Sequence, residues 1–262
     1  MPSGYTLLEE GLTGSGGSIT VSRSIYNNGT HGVYLDFKLN GSSNFTGANY
    51  LVYGDNLGSW QVRTDTSGNL VCNTGFNGTY TLKVPAGAYT TRRQLTYAPQ
   101  YAVLGDVGYP ATIYTNGVLG LFGTLYTSGM TSSYALYTVD MTLYRCIVFD
   151  AFGEYMFDLI PCIRNSDGAK GVYDVVGKVF YLFRVFNRIV YSNYQLKFEY
   201  PVATAIDVTY DAYWNQGGYY ITETVTVAKG RQIIDMRSGT NLPRSTTLSV
   251  TEDINYYYIR YQ

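Results

Sequence analysis

At 262 residues, with 45% hydrophobic and 14% charged side chains and a formal net charge of −1, the chain has ample material for a large buried core and lacks the composition of a disordered protein. The near-neutral balance, with its basic residues scattered, excludes the electrostatic field of a general nucleic-acid binder. Abundant Tyr (29) and Gly (29), together with Thr, Ser and Asn, favour strands joined by tight turns over helices, and one large domain plus a small one suits an all-β chain of this length.

The start, MPSGYTLLEEGLTGSGG, has neither the basic residues nor the apolar run of a secretion signal, and no later stretch has the apolar length of a membrane span. Assembly in a cytoplasm is therefore expected. Next, VYLDFKLNG places Val33, Leu35, Phe37 and Leu39 on one face and Tyr34, Asp36 and Lys38 on the other, the alternation of a half-buried strand. Further strands are predicted in YLVYGD, SWQVRTD, GNLVCNTG and TYTLKVPAG, with TDTSGNL as a hairpin turn. YAVLGDV, TIYTNGVLGLFGTLY and SYALYTVDMTLYRCIVFD continue the series, with TNG and TSGM supplying loops. Strands arriving about every ten residues without intervening helical periods point to a sandwich or jelly roll.

After Tyr181, LFRVFNRIVYSNYQLKFEYPV reads as a connecting strand pair over residues 183–200. From Pro201, AIDVTYDAYW, GGYYITETVTVAKG, RQIIDMRSG, TTLSVTE and YYYIRYQ make a small antiparallel module over 201–262. Its pattern is immunoglobulin-like but short for a complete sandwich, so its core would need a neighbour or another subunit.

The cysteines, Cys72, Cys146 and Cys162, are widely spaced and form no C-x-x-C pair, so buried reduced thiols are expected rather than zinc ligands or a redox couple. Asn28, Asn40, Asn44 and Asn77 each begin an Asn-x-Ser/Thr triplet; without an export signal these read as polar loop clusters.

The stretch YRCIVFDAFGEYMFDLIPCIRNSDGAKGVYDVVGKVFY, Tyr144 to Tyr181, reads as two strands joined by a turn at Ala151 to Glu154. NSDG and AKG then form turns, and VYDVVGKVFY closes as a short hairpin. This segment resembles the closing part of concanavalin A-like (laminin G-like) jelly-roll domains of bacterial surface proteins and of tailed bacteriophages and prophages of gut bacteria. The matching positions are Leu143, Tyr144, Asp150 and Asp158, then Ile160, Pro161 and Cys162, then Asn165, Gly168, Gly171, Tyr173, Asp174, Phe180 and Tyr181. PSGYTLLEEGLTGSGG is similar to the family's opening, and GLFGTLYTSGMTSSYALYTVDMTLY occupies the place of its middle. Together these bracket residues 2 to 181. The Asp150–Asp158 turn and the Cys162–Gly168 loop each carry one residue more than the family line, where length changes are tolerated. The resemblance implies a jelly-roll domain over 1–182 and a place in a virion or on a cell surface.

Glucanases of jelly-roll fold carry Glu-x-Asp-x-Glu on one strand, because a period of two sends all three carboxylates to one face. This sequence has no such triplet. Asp150, Glu154 and Asp158 are separated by a turn, so they serve turn formation and solvation and no enzymatic activity is expected. His31, the single histidine, sits in NNGTHGV without a nucleophile elbow nearby and reads as a loop residue. Asp55 with Asn56, or Asn165 with Asp167, offer oxygen for calcium, but neither segment has the ligand count of a calcium loop; no cofactor is expected. Aromatic rings stack on sugars, which makes Trp60, Trp214, Tyr219 and Tyr220 the candidate ligand contacts.

The expectation is thus a non-enzymatic structural protein of a tailed-phage virion, a capsid decoration, head fibre or tail accessory. Its partners would be capsid or fibre subunits and further copies of itself, with no nucleic acid and no membrane. The alternative is a lectin-like adhesin for host-surface glycans.

Overall fold

The computed structural model describes residues 1–25, 31–40, 49–53, 61–64, 70–73, 91–98, 101–104, 107–110, 117–127, 134–150, 152–192, 195–214, 219–235, 245–250 and 252–261. Among them there is no helix; the protein is all-β. In chain order the strands are β1 (Tyr5–Leu7), β2 (Leu12–Gly14), β3 (Gly17–Ile25), β4 (His31–Leu39), β5 (Asn49–Tyr53), β6 (Gln61–Thr64), β7 (Leu70–Asn73) and β8 (Arg93–Ala98). There follow β9 (Tyr101–Leu104), β10 (Val107–Pro110), β11 (Gly117–Leu121), β12 (Gly123–Thr127), β13 (Tyr134–Thr138), β14 (Met141–Asp150), β15 (Tyr155–Arg164), β16 (Ala169–Asp174) and β17 (Val179–Leu182). The last group is β18 (Arg184–Ser192), β19 (Gln195–Phe198), β20 (Ile206–Trp214), β21 (Tyr219–Val227), β22 (Ile233–Asp235), β23 (Ser245–Ser249) and β24 (Asn255–Tyr261). The strand expected in TYTLKVPAG lies outside the described residues.

The chain divides into two compact units, residues 1–126 with 136–183 and residues 127–135 with 184–262. The first unit is a β-sandwich. One layer is a ten-stranded sheet with the order β10-β9-β8-β4-β14-β15-β16-β17, to which β1 adds against β15 and β2 against β14. The other layer runs β3-β11-β5-β6-β7. The alternation read in β4 is why the layers close: Val33, Leu35, Phe37 and Leu39 are all buried and meet Ile19 and Val21 of β3, Val62 of β6 and Leu121 of β11 in one core. Across the same sheet Leu143, Cys146 and Val148 of β14 and Phe157 and Leu159 of β15 point into that core; Cys146 with Val148 and Phe157 with Leu159 keep the period of two, and a register shift between Leu143 and Arg145 brings Leu143 to the same face.

Two local features differ from the expected pattern. His31 is not a loop residue but the first residue of β4, opposite Asp150, because the ladder with β14 runs to the end of that strand. AKG is not a turn: the turn ends at Gly168 (φ 73°) and Ala169–Asp174 is β16. Gly171 is needed within that strand because a Cβ there would run into the Tyr181 carbonyl oxygen and the Phe180 ring.

The second unit has its own core. Residues 184–198, predicted as part of a connector, instead form β18 and β19 of this unit, where Ile189, Leu196 and Phe198 pack with Val202, Ile206, Val208 and Val227. Its strands run β22-β19-β18, with β24 alongside β18 in parallel, and β21-β20-β23. Asp253, 1% exposed, fixes the approach to β24 by accepting hydrogen bonds from the Thr204 backbone N–H (2.8 Å), the Thr204 hydroxyl (2.9 Å) and the Asn255 N–H (2.8 Å).

Candidate functional site

The face of the ten-stranded sheet turned away from the core carries the polar chemistry of the first unit. Period two puts Tyr34 and Asp36 of β4 on it. A register shift between Leu143 and Arg145 then sets Arg145 opposite Asp36 and Ile147 opposite Tyr34. A second shift, after Val148, sets Phe149 opposite Tyr155, while Ile147 faces Asp158. The two bulges re-aim side chains at the centre of the sheet.

Two bidentate ion pairs run across this face. Arg145 donates from Nε to Asp158 Oδ1 and from Nη2 to Oδ2, both at 2.8 Å. Arg92 donates from Nε and Nη2 to the two oxygens of Asp36, both at 2.9 Å, and its guanidinium stacks 4.0 Å from the centre of the Tyr144 ring. In each pair the carboxylate is buried and the arginine half-exposed, with side-chain exposures of 6% against 55% for Asp36 and Arg92 and 9% against 43% for Asp158 and Arg145. The hydrogen bonds to the carboxylates strengthen both guanidinium charges.

Beside the Arg145–Asp158 pair lies an open pocket of about 450 Å³, lined by Tyr34, Thr96, Arg145, Ile147, Phe149 and Tyr155, with Gly153 at its rim. Its volume falls among small-ligand pockets, roughly 300–1,000 Å³. Gly32 helps to shape it: a Cβ there would occupy the place of the Phe149 ring. The tyrosine hydroxyl of Tyr34 is held in its protonated form, first by burial and then by the nearby Asp36 charge.

The rim is built by a tight turn. Asp150 Oδ1 accepts the N–H groups of Phe152 (2.8 Å) and Glu154 (2.9 Å), and the Asp150 N–H donates to the Glu154 carbonyl at 3.0 Å. Gly153 takes φ 84° to complete it. The turn leaves Phe152 91% exposed and Tyr155 52% exposed.

The other acidic residues of the signature stretch have equally defined partners. Asp174, fully buried, accepts through Oδ1 the N–H groups of Asp158 and Val176, each at 3.1 Å. Asp167 takes Arg164 at 3.1 and 2.7 Å on its two oxygens, and the arginine holds its carboxyl below the usual range. Asn165 accepts the Thr6 hydroxyl at 2.8 Å. Asn165 and Asp167, weighed as calcium ligands, thus tie down a turn. No group of three or more His, Cys, Asp or Glu side chains arranged for a metal occurs among the described residues.

Of the predicted aromatic contacts, Trp60 lies outside the described residues. The register sets Trp214 opposite Tyr219 and Tyr220 opposite Tyr213 at one end of the β20–β21 ladder, so three of the four candidates share one end of a hairpin in the second unit. Cys146 and Cys162 are buried free thiols; burial raises both, Cys162 to about 11. Cys72 stands in β7 opposite Val62. The pocket on the first unit was not found from the sequence. Its one local signal was the alternation of Tyr34 and Asp36 in β4; Thr96 and Arg145 come from strands far along the chain, and Arg92, the partner of Asp36, from the residue before β8.

Comparison of the chain with family models, with curated proteins and with solved structures gave no match in any of the three.

Proposed function

We propose that this chain is a non-enzymatic structural protein of a tailed-bacteriophage virion, serving as a capsid decoration, head fibre or tail accessory and assembling through its β-rich surfaces. The observation that carries the non-catalytic half is the engagement of the signature-line aspartates: Asp150 and Asp174 bind backbone N–H groups, and Asp158 and Asp167 hold arginines. An acid/base pair for glycoside hydrolysis needs two carboxyl groups facing a substrate and free to exchange protons, and these are committed to holding strands and turns. The virion context is supported by the resemblance of the opening and closing segments to concanavalin A-like jelly-roll domains of phage proteins, to which the sandwich of the first unit is suited. Capsid or fibre subunits and further copies of the chain are the partners in this proposal.

Mass spectrometry of purified particles from a phage encoding the chain tests it. Hundreds of copies per particle would indicate a capsid decoration and a few a fibre or tail component; absence from the particles would overturn the proposal. A lectin-like role in binding host-surface glycans is the second reading, favoured by the open aromatic and arginine-lined pocket on the ten-stranded sheet.

A further inference from the structure

We propose that the pocket on the outward face of the ten-stranded sheet takes one neutral sugar ring, with Tyr155 as its stacking surface and Tyr34, Thr96 and Arg145 as its hydroxyl-binding edge. This rests on the glycan-binding reading and moves the binding site from the predicted aromatics of the second unit to the first.

Charge selects the ligand class. The two arginines on this face are each matched by a carboxylate, Arg92 by Asp36 and Arg145 by Asp158. Among the described residues the charge left over at the rim is the carboxylate of Glu154, exposed between Gly153 and Tyr155; it repels an acidic ligand, which would also lose its hydration here without a counterion. The hydrogen-bonding groups nonetheless remain. A guanidinium has five N–H donors; Asp158 uses one on Nε and one on Nη2 of Arg145, and the others have no partner among the described residues. The carboxylate also fixes the fork, so these donors point in a set direction before any ligand arrives. Tyr34, kept protonated by burial, and Thr96 both donate and accept. A purely apolar ligand would strip water from all three without replacing its bonds. A polyhydroxyl ligand replaces them.

The apolar side of the pocket fits the same class. Ile147 and Phe149 line it, and beside them stands Tyr155, 52% exposed, directly after a turn clamped by the two hydrogen bonds to Asp150. The face of its ring suits the C–H side of a sugar.

The test uses the full chain and saturation-transfer NMR with galactose, glucose and N-acetylglucosamine as neutral probes and glucuronate and sialic acid as acidic ones, followed by titration of the strongest binder. Tyr155→Ala changes an exposed side chain and leaves the core intact, and Trp214→Ala serves as the control in the second unit. The expected result is transfer to a neutral sugar, a three- to ten-fold weaker affinity in Tyr155→Ala, the size of one aromatic contact, and no change in Trp214→Ala. Unchanged affinity in Tyr155→Ala, with or without loss in Trp214→Ala, would overturn this site while leaving glycan binding in place. Preference for the acidic probes would overturn the neutrality of the ligand. Transfer to none of the five sugars would overturn both this site and the glycan-binding reading.

Discussion

Asp158 is the residue on which the signature stretch turns. Its carboxylate holds Arg145 through two bonds of 2.8 Å, its N–H reaches Asp174, and its carbonyl accepts the Val175 N–H at 2.9 Å. Asp158→Asn keeps the shape but removes the charge beside a guanidinium that still reaches water, so a loss of about 1–3 kcal/mol is expected by urea denaturation. The double variant with Arg145→Met should recover much of that loss, because no charge is then left unpaired. The two buried thiols give a separate prediction. Folding raises Cys162 from 9.0 to about 11, so between those values the unfolded chain has released a proton that the folded chain keeps. The contribution of Cys162 is whole below pH 9 and falls by an amount on the order of 2–3 kcal/mol as pH rises through that window, while Cys146, raised further by burial, adds its own loss over the same rise and above it. Cys162→Ala should make the fall between pH 9 and 11 shallower, and a thiol reagent at pH 8 should leave Cys146 and Cys162 unmodified until denaturant is added. Burial of Cys146 and Cys162 agrees with the reduced, buried thiols read from the wide spacing of the cysteines and the lack of a C-x-x-C pair. The bidentate partner of Asp36 was not legible in the sequence, since Arg92 lies 56 positions away along the chain and no local rule joins them.

At the scale of elements, β4 shows what a sequence can state about a strand: a sandwich buries one face, so alternation of Val33, Leu35, Phe37 and Leu39 with polar residues marks the core side directly. The turn at Asp150 was equally legible, because a short side-chain acceptor before Gly is turn chemistry. The bulges of β14 were not, since a residue that shifts register has no compositional mark, and these bulges place Arg145, Ile147 and Phe149 around the pocket. AKG shows the opposite error. Gly171 looked like a turn glycine but sits mid-strand, where the neighbouring strand comes too close for a side chain. Gly171→Ala should therefore cost about 3 kcal/mol, at the upper end of overpacking, because a main-chain carbonyl cannot step aside. Gly168→Ala, at φ 73° but with open space around it, should cost about 1 kcal/mol through backbone strain alone. Thermal denaturation of both variants measures the difference.

For the molecule as a whole, the presence of two hydrophobic cores was legible but their boundary was not, because the aromatic run after Tyr181 has the composition of either a connector or a strand pair. It supplies Ile189, Leu196 and Phe198 to the smaller core. Two cores of different size predict calorimetric unfolding that departs from a single two-state transition. Val208→Ala should lower the earlier component and Leu35→Ala the later one, each by the effect of a cavity in one core. The smaller unit also contains the only parallel pairing among those described, β18 with β24, in register from Val185 with Asn255 to Tyr191 with Tyr261. Such a ladder cannot zip up from a hairpin: the intervening stretch, residues 193–254, has to be made and looped back before the first rung forms. On a translating ribosome, β18 therefore waits with one hydrogen-bonding edge open long after the larger sandwich has all its strands, and that interval is when a nascent copy is most exposed to pairing with the wrong chain.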